Sequence, residues 1–278
     1  EWEKVEALEG VAAALRELQN HFRRVVCTNA EISTAAQVRA ALARVGLDGF
    51  FEAVFTPKEV NQYRKPQKEY FHQVEGVLGV HGDALMMIGD DPLVDVGGAV
   101  LAGWRSVWFN PAGKAAPALL PLADAEILHW RDLQTALKQP RLPSVEQSRF
   151  WLLEQRATAN LLVHVEMVAA LAYQMAVWMR NSGQNINPVL AQRGGLLHDL
   201  CKISARGTNI LHGDMAADLL MEWHQNELAG IAATHMLFNL LEEAKSPRSW
   251  EEKIVYYADK LVENGRIVLF STRMDALR

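Results

Sequence analysis

Along the first 110 positions, short apolar runs alternate with stretches in which apolar residues return every three or four places. The first pattern suits strands and the second helices. Val11 to Gln19 has helical spacing, and Arg24 to Thr28 reads as a strand. Thr34 to Val45 is an Ala-rich helix that Gly46 would end. A second strand is expected over Phe50 to Thr56 and a helix over Lys68 to Leu78. Ala84 to Gly89 is apolar throughout, as expected of a strand covered on both faces. Val94 to Ala102 reads as a short helix and Arg105 to Phe109 as a fourth strand. Strands alternating with helices predict the α/β class, with a parallel Rossmann-like sheet.

The pattern changes near residue 138. Lys138-Gln139-Pro140-Arg141-Leu142-Pro143-Ser144 carries two prolines and few apolar residues, so it reads as a linker. Ser144 is placed to cap the helix that follows. From there the spacing is helical almost to the end: one long amphipathic helix over Val145 to Arg180, then Pro188 to Leu200, Gly213 to Trp223, Glu227 to His235 and Trp250 to Val262. No strand alternation is visible after residue 145. The expected organisation is an α/β domain over 1–137, a linker over 138–147 and an all-helical domain over 148–278.

Length and composition narrow the choices. With 278 residues the chain can build two ordinary cores. A net charge of -5 gives no support for a nucleic-acid polymer as partner. The two cysteines, Cys27 and Cys201, lie far apart and fit a reducing compartment, so a cytoplasmic location is expected. No apolar run approaches the roughly 20 residues of a membrane span, and no membrane partner is expected.

The helical half carries the chemistry. His164, the pair His198-Asp199, His212, His235 and Asp259 are ligand types for divalent metals. Taken singly, each has an ordinary role. His164 lies on an apolar helix face, where a core histidine is the commoner reading. His212 and His235 fall at helix ends. Asp259 interrupts the apolar run Ile254-Val255-Tyr256-Tyr257-Ala258, and a carboxylate there needs a partner. The His198-Asp199 pair follows another apolar run and would bury two ligand types side by side, which is costly without a cation.

The order His, His-Asp, His, His, Asp resembles the HD superfamily of metal-dependent phosphohydrolases, over about residues 148 to 272. The resemblance implies that His164, His198, Asp199 and Asp259 hold one metal. It also implies that His212 and His235 hold a second, with Asp199 bridging. The segment Lys253 to Asp259 looks most like the branch containing bacterial symmetrical dinucleoside tetraphosphate hydrolases. Two divalent transition metals (Fe, Mn, Ni, Co or Zn) are therefore expected. Lys202, about one helical turn after Asp199, would neutralise a phosphate or leaving group, or else be a solvated lysine. Arg206 and Arg266 are further phosphate-binding candidates. Arg266 stands one residue later than the phosphate-contacting arginine of that branch.

A second resemblance covers about residues 8 to 115. Val25-Val26-Cys27-Thr28-Asn29, Lys65-Pro66 and Gly89-Asp90-Asp91-Pro92-Leu93-Val94-Asp95, in that order, look like the second, third and fourth motifs of the haloacid dehalogenase superfamily. The resemblance implies phosphate binding by Thr28, charge balance by Lys65, and magnesium held by Asp90, Asp91 and Asp95. The acidic positions could instead be helix caps. The first motif, an Asp-x-Asp pair, is absent from residues 1 to 27. Because residue 1 is Glu, the expectation is that the nucleophile precedes this chain.

Three functions follow. The leading one is hydrolysis of a phosphoester or phosphoanhydride of a small phosphorylated molecule, a nucleotide or dinucleoside polyphosphate, at a binuclear site. The second is a haloacid dehalogenase-type small-molecule phosphatase with its nucleophile upstream. The third is a non-catalytic nucleotide-sensing module with a structural metal. A homodimer through the helical half is compatible with the chain, though no pattern in it argues for one. Trp151, Trp178, Trp223 and Trp250 could stack a base, but core packing is the better reading of their spacing.

Overall fold

The computed structural model describes residues 4–241, 243–263, 265–269 and 271. The chain divides into two compact units, Glu1–Ala112 with Leu122–Gln139, and Gly113–Pro121 with Pro140–Arg278.

The first unit is the expected α/β arrangement. Its elements are α1 (Val11–Glu17), β1 (Val25–Cys27), α2 (Ala35–Arg44), β2 (Ala53–Phe55), α3 (Lys68–Leu78), β3 (Met86–Gly89), α4 (Gly98–Leu101) and β4 (Arg105–Phe109). Thr34 and Gln37 close a reciprocal capping box on α2. All strand pairings here are parallel: β1 with β2, and β3 with β4. Residues of β3 alternate as a pleated strand must. Met87 joins a core with Phe55, Tyr70, Phe71, Val74 and Trp104, while Met86 and Ile88 face a second core with Ala14, Val107, Phe109 and Leu133. Apolar side chains therefore cover both faces of the strand.

Three details differ from the sequence pattern. A wide helical turn over Pro92–Gly97, capped by Asp91, precedes α4, so the helix starts before Val94. A further strand, β5 (Ala125–Ile127), pairs in parallel with β4. It is followed by α5 (Leu133–Lys138). Both escaped the pattern because each is short and buries few residues: Ile127 in the strand, Leu133 and Ala136 in the helix.

The second unit is helical: α6 (Val145–Glu154), α7 (Ala159–Asn181), α8 (Pro188–Leu197), α9 (His212–Glu222), α10 (Asn226–Thr234) and α11 (Trp250–Leu261). Ser144 caps α6 through the Gln147 amide, as expected. The single helix expected over Val145 to Arg180 is two. Arg156 takes a left-handed φ of 64°, and the Thr158 hydroxyl accepts from the Leu161 amide. Apolar spacing runs on across this break, so periodicity alone conceals it. A short antiparallel pair, β6 (Val262–Glu263) with β7 (Arg266–Ile267), also departs from the strand-free expectation.

The core of this unit joins Val165, Val168, Ala169 and Ala172 of α7 to Leu196 and Leu197 of α8. Leu220, Ile231, Val255 and Ala258 from the later helices complete it. By length and composition α7, at 23 residues, could cross a membrane, contrary to the expectation that no run was long enough. Its buried face is the centre of this core. The stretch 113–121 packs with the helices, although the sequence pattern leaves it with the α/β half. Tyr173 accepts from the Ala116 amide at 2.9 Å, Asn181 donates to the Gly113 carbonyl at 2.9 Å, and buried Arg193 donates to the Pro121 and Pro143 carbonyls.

Candidate metal centre

The six expected ligands are brought to the centre by five stretches of chain in or next to helices. His164 lies in α7, His198 and Asp199 at the end of α8, His212 at the first turn of α9, His235 just after α10, and Asp259 in α11. Gly194 and Gly195 of α8 let its end press against Ile231 and the backbone of Ala169. Apolar packing of α7, α8, α10 and α11 thus carries the polar residues inward.

The ligand atoms form two groups. His164, His198 and Asp259 make one, and Asp199, His212 and His235 the other; within each group the atoms lie within 4.8 Å of one another. In the first, the Nε2 atoms of His164 and His198 are 3.0 and 3.5 Å from Asp259 Oδ1. In the second, His212 and His235 Nε2 are 3.0 and 3.4 Å from Asp199 Oδ1, and 3.1 Å from each other. Two ligands each about 2.1 Å from one ion, at tetrahedral or octahedral angles, lie about 3.0–3.4 Å apart. Asp199 also faces the first group: its Oδ2 is 3.4 Å from His198 Nε2 and 3.7 Å from His164 Nε2.

Hydrogen bonds orient two of the rings. His198 Nδ1 donates to the Gly195 carbonyl at 2.8 Å and His235 Nδ1 to the Ala232 carbonyl at 2.7 Å. Each bond leaves an Nε2 lone pair aimed at the centre. His198 Nε2 and Asp199 Oδ1 are buried without a well-formed hydrogen bond. Buried polar atoms in that state are costly, and a cation in each group would satisfy them. The donor set and its spacing fit divalent metal ions.

Electrostatics agrees. Burial pushes the His198 imidazole down, but the carboxylates of Asp199 and Asp259 outweigh it and raise its pKa to about 9. Burial, aided by the charge on His198, holds His235 below its ordinary value. Burial pushes Asp199 and Asp259 upward, yet the surrounding imidazoles, with Lys260 beside Asp259, hold both well below the usual carboxylate range. Without a metal, the protein thus keeps a proton on His198 to balance two buried carboxylates.

The expected phosphate contacts are placed less closely. Lys202 Nζ holds Asp199 Oδ2 at 2.5 Å, with its side chain 42% exposed. Arg206 and Arg266 are exposed, one past the end of α8 and one on β7. Among the described residues, neither has a polar contact with the six ligands. The sequence reading missed Lys260, which is buried beside Asp259. Its only signal was a lysine inside an otherwise apolar helix face.

In the first unit, the Lys65 ammonium pairs with the buried Asp95 carboxylate and donates to the Cys27 carbonyl at 3.0 Å. Thr28 follows at the end of β1. Asn29 and Lys65 exchange hydrogen bonds of 2.9 Å, fixing the loop that carries the lysine. Asp91 accepts from the Leu93 and Val94 amides at 2.8 Å, so it serves as a helix cap. Asp90 is exposed, and its carbonyl accepts from Trp108. Among the described residues, Asp90, Asp91 and Asp95 do not converge on one point.

Known proteins divide the chain the same way. The family model for haloacid dehalogenase-like hydrolases matches residues 1–103, and that for the HD domain matches residues 161–264. An uncharacterised protein of Methanocaldococcus jannaschii is 32% identical over 122 residues, 40% of this chain and 71% of that protein. The human N-acylneuraminate-9-phosphatase is 29% identical over 135 residues, covering 48% of this chain and 50% of the enzyme. A solved structure of the HAD-hydrolase YfnB from Bacillus subtilis, bound to magnesium, is 28% identical with a TM-score of 0.42, covering 48% of this chain and 56% of that one. The chain thus spans about half the length of the human and Bacillus relatives. It carries a haloacid dehalogenase-like hydrolase domain over residues 1–103 and an HD domain over residues 161–264.

Proposed function

We propose that the helical unit is a metal-dependent phosphohydrolase with a two-cation site, acting on a phosphoester or phosphoanhydride of a nucleotide. The observation that carries this reading is the Asp199 carboxylate, whose two oxygens face the two ligand groups separately. A carboxylate placed in this way can bridge two ions. Two divalent cations held there would lower the pKa of a water molecule and offset charge developing on a phosphoryl group.

The residues around them set the rest of the chemistry. The carbonyls of Gly195 and Ala232 keep His198 and His235 in the tautomer that presents Nε2. Lys202 is positioned at the open edge of the centre, where its ammonium can turn from Asp199 to a substrate phosphate. The resemblance over Lys253 to Asp259 favours a dinucleoside polyphosphate as the substrate. Both matched families are divalent-metal-dependent hydrolases, which suits a small phosphorylated substrate.

A second reading places phosphatase activity in the first unit, as the name of the human relative suggests for that enzyme. The buried Lys65–Asp95 pair at the end of β1 favours it. The two readings separate on one experiment, in which metal content is measured for the purified protein and for Asp199→Ala. Phosphate or nucleotide release is followed from a panel of nucleotides, dinucleoside polyphosphates and sugar phosphates. About two transition metals per chain are expected, with metal and nucleotide turnover both lost in the variant. Turnover unaffected by the substitution, or a protein that takes up no metal, would end the first reading.

A further inference from the structure

We infer that Lys260 is a positioning residue of the metal centre, holding Asp259 to one donor oxygen and locking the two ligand groups together. This rests on the two-cation reading above. The Lys260 ammonium donates to Asp259 Oδ2 at 2.5 Å and to the His235 carbonyl at 3.1 Å. It stands 4.9 Å from the centre of the Tyr256 ring, and the residue is 8% exposed. A lysine is rarely buried unless its charge is paired.

Its two partners explain the arrangement. Asp259 Oδ1 is the oxygen that faces His164 and His198, at 3.0 and 3.5 Å from their Nε2 atoms. The ammonium occupies the other oxygen, so the carboxylate offers one oxygen and cannot chelate. The His235 carbonyl lies at the C-terminal end of α10, where a helix leaves carbonyls unpaired and a cation is favourable. Asp259 belongs to one ligand group and His235 to the other. One buried cation therefore fixes α11 against the end of α10 and sets the separation of the two groups. Lys202 holds the far oxygen of Asp199 in a similar way, but its side chain is 42% exposed. Water can replace that contact and cannot readily replace the one made by Lys260.

The test compares the full chain with Lys260→Met and Lys260→Gln, stripped of metal and titrated with cobalt(II). Bound metal, binding affinity and the visible cobalt absorption are read, with circular dichroism to establish folding. The expected result is cobalt binding weakened roughly 10- to 100-fold, as for other groups that orient ligands. The cobalt absorption should change in intensity and position, because Asp259 becomes able to chelate and raises the coordination number. A change in packing that leaves the ligands in place would not alter that spectrum. Wild-type affinity and spectrum in either folded variant would overturn the role of Lys260 and leave the two-cation reading intact. A wild-type chain that takes up no cobalt would remove both. Should the methionine chain not fold, the glutamine chain, neutral and one bond shorter, decides the matter.

Discussion

Gly195→Ala tests whether close helix packing builds the metal centre. A Cβ at position 195 would stand 2.5 Å from Ala169 Cα and 2.8 Å from Ala169 N, where ordinary contact begins at 3.4 Å. Both are backbone atoms of α7, so α8 must move away by about 1 Å. Overpacking of this kind costs about 1–3 kcal/mol. Alanine offsets about 1 kcal/mol of that through its better helix propensity. The net loss is about 0–2 kcal/mol, a fall in Tm of up to about 8 °C. The larger effect falls on the ligands. His198 lies three residues after Gly195 and donates its Nδ1 proton to the Gly195 carbonyl. His164 stays with α7, so the two ligands are drawn apart. A shift of about 1 Å greatly exceeds the roughly 0.2 Å tolerance of metal–ligand distances. Gly194→Ala is the control. Its Cβ would meet Ile231 Cδ1 at 2.5 Å, and a terminal methyl can turn aside. The assay is thermal melting in chelator together with metal content for both variants. The expectation is a greater fall in both for position 195. A Gly195→Ala chain that melts like the wild type with full metal, or equal losses at both positions, would refute the reasoning.

Two further outcomes follow from the buried charges. His198 in the metal-free protein has its pKa raised from 6.5 to about 9. Its contribution to stability is complete below pH 6.5 and is lost as pH rises through 9, at most about 3 kcal/mol. The metal-free protein should therefore melt at lower temperature as pH goes from 6.5 to 9.5. Metal affinity should rise over the same range, because binding displaces that proton; a flat melting curve in chelator would contradict this. In the first unit, Lys65→Met should destabilise by about 3–5 kcal/mol by leaving Asp95 buried and unpaired. Lys65→Met with Asp95→Asn should recover most of the loss in urea unfolding, and no recovery would mean that the pair is not the cause.

Much of the fold was legible because buried elements impose their period on the chain. The apolar run Ala84 to Gly89 announced β3, and the caps at Thr34 and Ser144 marked real helix starts. What failed was local. The left-handed turn at Arg156 ends α6 without breaking the apolar spacing, and β5 is too short to show any alternation. At the centre, residue type alone pointed to His164, His198, Asp199, His212, His235 and Asp259, because imidazoles and carboxylates within apolar helices are costly unless something pairs them. Type also suggested Asp90, Asp91 and Asp95 as magnesium ligands; Asp90 is exposed, Asp91 caps a helix through one oxygen, and Asp95 pairs with Lys65.

The sequence by itself thus determined two domains of different class and which side chains are candidates to hold metal, since both depend on which residues the chain must bury. Only the tertiary structure decided how those side chains pair. His164 meets Asp259 across 95 positions of sequence, and the two oxygens of Asp199 divide between two groups. Lys260, which on sequence is one more lysine after an aspartate, becomes a buried cation joined to both groups. Distances of 3 Å between helices arise from packing that lets Gly195 touch α7, and no spacing along the chain encodes them.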